Sequence, residues 1–226
     1  RCGEPSRRQW LRFGLFRRMT CEETINPPDS FKMPPIGVHG STRKRGKRRL
    51  PINHLNTMGG GKMAKQKLII ICGSPCVGKT TVADRLFQSY ENSAYLDGDW
   101  CWCVNPFSIN DPRLRNGDKN MSYVLSTYLN SAFDYVIFSS VVAIGDPIRR
   151  EIVNAITAED YEVIGFTLTC SEETLRQRHK DRGDENEVSF YWLHLPVYPN
   201  DYVIDTDHKT VSQIVDEIRR IIEKTG

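Results

Sequence analysis

The stretch Gly73-Ser74-Pro75-Cys76-Val77-Gly78-Lys79-Thr80 fits the pattern G-x-x-x-x-G-K-[ST], and it constrains the fold more than any other feature of the chain. The apolar run Leu68-Ile69-Ile70-Ile71-Cys72 before it predicts a buried parallel strand. Thr80 to Asn92 after it predicts a helix, with Val82, Leu86 and Phe87 on one face. Strand, glycine loop and helix is the order that phosphate binding requires. Gly73 and Gly78 let the backbone curl so that successive N–H groups converge on an anion. The N-terminus of the helix adds partial positive charge. In that setting Lys79 reaches the β and γ phosphates of a nucleotide, and the Thr80 hydroxyl ligates Mg²⁺. The competing reading is a glycine-rich turn with an exposed lysine; the flanking strand and helix signals weigh against it.

Charge divides the chain in two. Residues 1–62 hold 14 Lys and Arg against 4 Asp and Glu, whereas residues 63–226 hold 17 against 24. The acidic balance of the second part argues against general nucleic-acid binding by that domain. The first part mixes Pro27-Pro28, Pro34-Pro35 and the basic run Arg43 to Arg49, with no sustained apolar period, and reads as disordered. Three readings stay open for it: an address or nucleic-acid arm, a charge-solvated tail, or a segment outside the native protein. The third draws on Met58-Gly59-Gly60-Gly61-Lys62 before Met63, which back-translates to a purine-rich stretch upstream of a start codon. The expectation is therefore that translation starts at Met63. The seven cysteines form no disulfide framework, and the histidines lack ligand spacing for zinc. No apolar run is long enough for a membrane span.

Beyond the first helix, strand and helix patterns alternate. Strands are predicted at Ser93 to Leu96, Tyr135 to Phe138, Val163 to Leu168 and Tyr202 to Ile204. Helices are predicted at Met121 to Phe133, at Pro147 to Ala158 opened by Asp146, after a Ser171 cap, and at Thr210 to Lys224. Such alternation predicts an α/β domain with a parallel sheet covered on both faces.

Asp97-Gly98-Asp99 follows the second strand. Residues two apart on a strand point to the same side, so both carboxylates can face the crevice at the strand's C-terminal end. One can hold Mg²⁺ and the other can take the proton of an attacking hydroxyl. An ordinary acidic turn is the alternative.

At this point the chain resembles the small P-loop kinases, the shikimate, gluconate and adenylate kinase-like group. The resemblance rests on the Gly73–Thr80 loop, on Leu96-Asp97-Gly98-Asp99, and on Leu175-Arg176-Gln177-Arg178-His179-Lys180-Asp181-Arg182. It covers nearly all of residues 66–226. It implies a three-layer P-loop NTPase sandwich with a five-stranded parallel sheet in the order 2-3-1-4-5. It also implies a lid after the fourth strand and an acceptor region after the second. Carried over, Gly73, Ser74, Pro75, Cys76, Val77, Gly78, Lys79, Thr80 and Thr81 bind ATP. Thr80 and Asp97 hold Mg²⁺, Asp99 orients or deprotonates the acceptor, and Arg178 and Arg182 stand where the group has lid arginines. A solvated helix end is the alternative for the two arginines.

Two departures qualify the resemblance. The third strand ends in Phe138-Ser139-Ser140, without the acidic residue that phosphate-loop motors use for Mg²⁺. The lid, Gly183 to Tyr191, carries Asp184, Glu185 and Glu187 where more arginine is usual. In the acceptor region, Trp100, Trp102 and Phe107 form either an aromatic wall or core packing. Arg113 and Arg115 bind an acceptor phosphate if they point inward; if they point out, an uncharged acceptor fits better. The functional expectation is a cytoplasmic, ATP- and Mg²⁺-dependent kinase of a small molecule. A nucleotide-binding regulatory protein and a nucleic-acid end kinase that uses the basic arm are the alternatives.

Overall fold

The alternation of side chains along the first strand decides the layering. In a computed structural model of the chain, which describes residues 65–105, 111–145, 147–183 and 187–225, β1 spans Gln66–Gly73. Ile69 and Ile71 enter one buried cluster, while Leu68, Ile70 and Cys72 enter another on the opposite face. A strand buried on both faces is the mark of a parallel sheet under two helical layers.

The other strands are β2 (Ser93–Asp97), β3 (Tyr135–Ser139), β4 (Tyr161–Thr169) and β5 (Tyr202–Asp205). All pairings are parallel and the order is β2-β3-β1-β4-β5, as the resemblance implies. The helices are α1 (Lys79–Gln88), α2 (Arg115–Leu129), α3 (Ile148–Asn154), α4 (Glu172–Asp181) and α5 (Val211–Lys224). On one face, Val82 and Leu86 of α1 pack with Ile214, Ile218 and Ile222 of α5. On the other, Met121, Leu125 and Leu129 of α2 pack with Ile152 of α3. Each fully buried side chain of this kind contributes about 1.5–3 kcal/mol. Thr210 and Gln213 close a capping box at the start of α5.

Several boundaries move from their predicted places. α2 begins at Arg115 rather than at Met121. Its first turns carry no apolar stripe, but Gly117 lies against Trp102, where an added Cβ would come within 2.5 Å of the indole. α1 ends at Gln88 and α3 at Asn154, each short of its predicted end. Pro147 stands just before α3 instead of inside its first turn. Expectations for residues 1–62, for Met63, Phe107 and Asp146, and for Asp184 and Glu185 fall outside the described residues. Among the described residues, no helix is long and apolar enough to cross a membrane.

Candidate active site

The glycine loop joins β1 to α1 at the C-terminal end of the central strand. Gly73 has φ 150° and stands so close to β4 that an added Cβ would lie 2.6 Å from the Leu168 carbonyl oxygen. Gly78 has φ 107°, and an added Cβ there would meet nothing within 4 Å, so its φ and not crowding calls for glycine. Cys76, between them, also takes a left-handed conformation, with φ 65°. α1 starts without a side-chain cap and without an acidic residue in its first turn. Its leading N–H groups therefore remain suited to an anion.

Two side chains in the loop bear on what it can hold. The Ser74 hydroxyl is buried and has no hydrogen-bond partner. Lys79 is buried, and its Nζ donates to the Ser74 carbonyl at 3.0 Å. Burial pulls the Lys79 ammonium below the ordinary lysine value, against the attraction of Asp99 and Asp97. An orphaned hydroxyl, a lysine held by a loop carbonyl and an uncapped helix end together fit a polyphosphate. Pro75 and Thr81 lie exposed on either side of the loop, and Val77 is buried beneath it.

The acidic pair converges on Lys79 by a route different from the strand alternation the sequence predicts. Asp97 is the last residue of β2, but Asp99 belongs to a tight 3₁₀ turn, Gly98–Trp102. Asp97 caps that turn: its Oδ1 accepts from the Asp99 N–H at 3.1 Å. Its Oδ2 accepts from Thr80 Oγ1 at 3.0 Å and from the Tyr95 hydroxyl at 3.3 Å. A hydroxyl and a carboxylate in contact are hard oxygen donors of the kind Mg²⁺ accepts, alongside water and phosphate oxygens. Burial raises the Asp99 carboxyl above the usual range; Asp97 adds to the rise, and Lys79 and Arg182 oppose it. Gly98 makes the turn possible, because a Cβ there would lie 2.9 Å from the Ser140 side chain.

The end of β3 holds hydroxyls, as the sequence indicates. Ser139 pairs in register with Asp97 and shares a 2.9 Å hydrogen bond with Tyr95. Ser140 caps the short turn after the strand.

The two arginines of α4 take different places. Arg178 Nη1 donates to the Val77 carbonyl at 3.0 Å and to Thr206 Oγ1 at 2.9 Å, and Nη2 donates to the Thr206 carbonyl at 3.0 Å. Its guanidinium thus braces the underside of the loop against the segment after β5, where closure over the phosphates was the expectation. Arg182 Nη1 reaches the Cys76 sulfur at 3.7 Å, on the loop itself. Of the acceptor residues, Trp102 packs against the buried cluster under α2 and donates to Asp118 at 3.0 Å, so it belongs to the core. Trp100 is 71% exposed.

A second polar cluster, which the sequence reading did not single out, lies under the loop on the α3 side. Arg149 Nη1 donates to Asp201 Oδ2 at 2.7 Å, with side chains 3% and 1% exposed. The same Oδ2 accepts from Thr167 at 2.8 Å and from the Cys72 thiol at 3.6 Å. Arg149 also stacks on Tyr198 at 3.9 Å. Burial and the Asp201 charge push the Cys72 thiol up to about 12, against the Thr167 hydrogen bond and Arg149. That thiol is inert at neutral pH.

A protein-family profile described as an AAA domain matches residues 69–191. No curated protein matches the sequence. Among solved structures, a sugar kinase from a Janibacter species aligns at 13% identity over 70% of this chain and 95% of its own, with a TM-score of 0.52. A gluconokinase from Sinorhizobium meliloti aligns at 15% identity over 73% and 97%, with a TM-score of 0.52. The APS kinase of Mycobacterium tuberculosis aligns at 15% identity over 70% and 98%, with a TM-score of 0.50. At these identities the likeness establishes the P-loop kinase fold and leaves activity to the site.

Proposed function

The chain belongs to the AAA domain family, and from that premise we propose that it is a kinase that transfers the γ-phosphoryl group of ATP, with Mg²⁺, to a small-molecule acceptor. The observation that carries the reading is the convergence of Lys79, Thr80, Asp97 and Asp99 at one end of the sheet. Loop amides and the α1 N-terminus bind the phosphates. Lys79 leaves the Ser74 carbonyl and follows the charge that develops on the transferring group. Thr80 and Asp97, in contact through the Thr80 hydroxyl, would hold Mg²⁺, whose charge would offset that of the phosphates. Asp99 accepts the proton of the acceptor hydroxyl, and its raised pKa makes it a stronger base once ionised.

Arg178 and Arg182 divide the work expected of a lid pair. Arg178 keeps the loop in shape through the Val77 carbonyl, as a positioning residue. Arg182, at the loop rim and near enough to Asp99 to lower its pKa, is the cation that closes on the phosphates. The five cysteines among the described residues are free thiols, which supports a reducing, cytoplasmic setting. The reading treats residues 63–226 as the catalytic domain and residues 1–62 as dispensable for transfer.

Asp99→Asn tests the assignment. It is expected to bind ATP as the parent chain does and to lose turnover; normal turnover in that variant sinks the base assignment. A second reading, nucleotide binding without transfer, draws on the serines that stand where a third-strand carboxylate would be. It predicts ATP binding with no phosphorylated product from any acceptor.

A further inference from the structure

β2 is an edge strand of the sheet, and Asp97 is its last residue. Among the described residues, three donors reach the Asp97 carboxylate. Oδ1 accepts from the Asp99 N–H at 3.1 Å. Oδ2 accepts from the Thr80 hydroxyl at 3.0 Å and from the Tyr95 hydroxyl at 3.3 Å. The first donor belongs to the turn that Asp97 caps, and the second is the other oxygen of the metal pair. Tyr95 belongs to neither.

Tyr95 lies two residues before Asp97, so the two side chains share a face of β2. Ser139 of β3, in register with Asp97, completes the arrangement. It is 1% exposed, and its hydroxyl lies 2.9 Å from the Tyr95 hydroxyl. A carboxylate only accepts, so the Tyr95 proton goes to Asp97 and the Ser139 proton to the Tyr95 oxygen. The result is a directed chain, Ser139 to Tyr95 to Asp97, in which each bond polarises the next.

The tyrosine ring has its own anchor. It packs against the buried cluster on the α1 side of the sheet, with its centroid 6.0 Å from that of Phe87. Phe87 and Thr80 are both residues of α1. Tyr95 therefore ties Asp97 to the helix that presents the Thr80 hydroxyl. A phenylalanine would fill the same ring space, so packing gives no reason for the hydroxyl. Serine, and not a second carboxylate, stands across the register from Asp97. The direction of one carboxylate then carries more of the site.

We infer, resting on the kinase reading, that Tyr95, backed by Ser139, is a positioning residue that aims Asp97 Oδ2 at the metal site beside Thr80. Loss of an outer hydrogen-bond partner of this kind changes metal affinity by about 10–100-fold. The test measures ADP binding to the full chain by calorimetry, in EDTA and over a series of Mg²⁺ concentrations. In the parent chain Mg²⁺ is expected to strengthen ADP binding. Tyr95→Phe is expected to raise the Mg²⁺ concentration at half effect at least about tenfold, with ADP affinity in EDTA unchanged. Ser139→Ala is expected to shift it in the same direction by less. A half-effect concentration unchanged in Tyr95→Phe overturns the inference. A lowered one does so too, because the hydroxyl would then compete with the metal for Oδ2. An equal loss of ADP affinity in EDTA also overturns it, since the hydroxyl would then shape the loop and not the metal site. If Mg²⁺ leaves ADP binding by the parent chain unchanged, the assignment of Thr80 and Asp97 to Mg²⁺ falls, and the inference falls with it.

Discussion

Two polar clusters stand at the C-terminal half of the sheet, both touching β1, and they differ in what surrounds them. In the first, Lys79, Thr80, Asp97 and Asp99 gather at the glycine loop, with an orphaned Ser74 hydroxyl and a lysine held by a single loop carbonyl. In the second, Arg149, Asp201, Thr167 and Cys72 satisfy one another in a sealed interior. The first keeps bonding capacity in reserve for a ligand. The second has little left to offer one, and it ties α3, β4 and the entry to β5 to the base of the loop. Charge alone does not separate a site from a structural knot; the unfilled valence of the polar atoms does.

The comparison is broken most sharply by substitutions that should affect one property and spare the other. The largest expected effect is on folding. Arg149→Ala leaves Asp201 buried without its partner and should cost about 3–5 kcal/mol in denaturant unfolding. Arg149→Ala with Asp201→Ala should cost less than the single change, because no charge is left unpaired. A double variant as unstable as the single one would mean that packing dominates over charge.

Lys79→Ala should do the reverse. Phosphoryl transfer should fall by about 10²–10³-fold, with the unfolding midpoint close to that of the parent. A large loss of stability would show that Lys79 is chiefly a structural residue.

Arg178→Ala lies between the two. Loss of its charged hydrogen bonds to Val77 and Thr206 should cost about 1.5–3 kcal/mol. ATP affinity should drop with it, because the loop loses its brace. If Arg182→Ala lowers turnover while stability holds, the division between the two arginines stands.

The smallest effect is in the pH profile. The acid limb of kcat/KM should lie above the ordinary carboxylate range, because Asp99 must be ionised to act and burial raises its pKa. The alkaline limb should lie below the ordinary lysine value, because Lys79 must stay charged and burial lowers its pKa. Asp99→Asn should remove the acid limb from whatever activity remains.

The loop half of the site was legible in the chain because its signals are local. Gly73, Gly78, Lys79 and Thr80 lie within one turn and one strand end, and Asp97 follows the next apolar run. The sheet order followed from the resemblance, and it stands. The sealed cluster was not legible. Arg149 and Asp201 are 52 residues apart, and neither sits in a pattern that singles out a buried charge. One faint sign was Gly165, where a Cβ would run into both Asp201 and Arg149, but a lone glycine in a strand has many causes. Alternation along β2 accounts for Asp97 alone: Asp99 lies beyond the strand, in a 3₁₀ turn that Asp97 caps. Trp102 and Trp100 could not be told apart by pattern; packing assigns the first to the core and leaves the second exposed.

The most direct measurement is product formation. The chain is incubated with Mg-ATP and mixed acceptors (nucleosides, nucleoside monophosphates, sugars and other small alcohols), and phosphorylated products are identified by mass, with Lys79→Ala as the blank. The account predicts a phosphorylated acceptor that is absent from the blank. ATP binding without any product across the panel would contradict it.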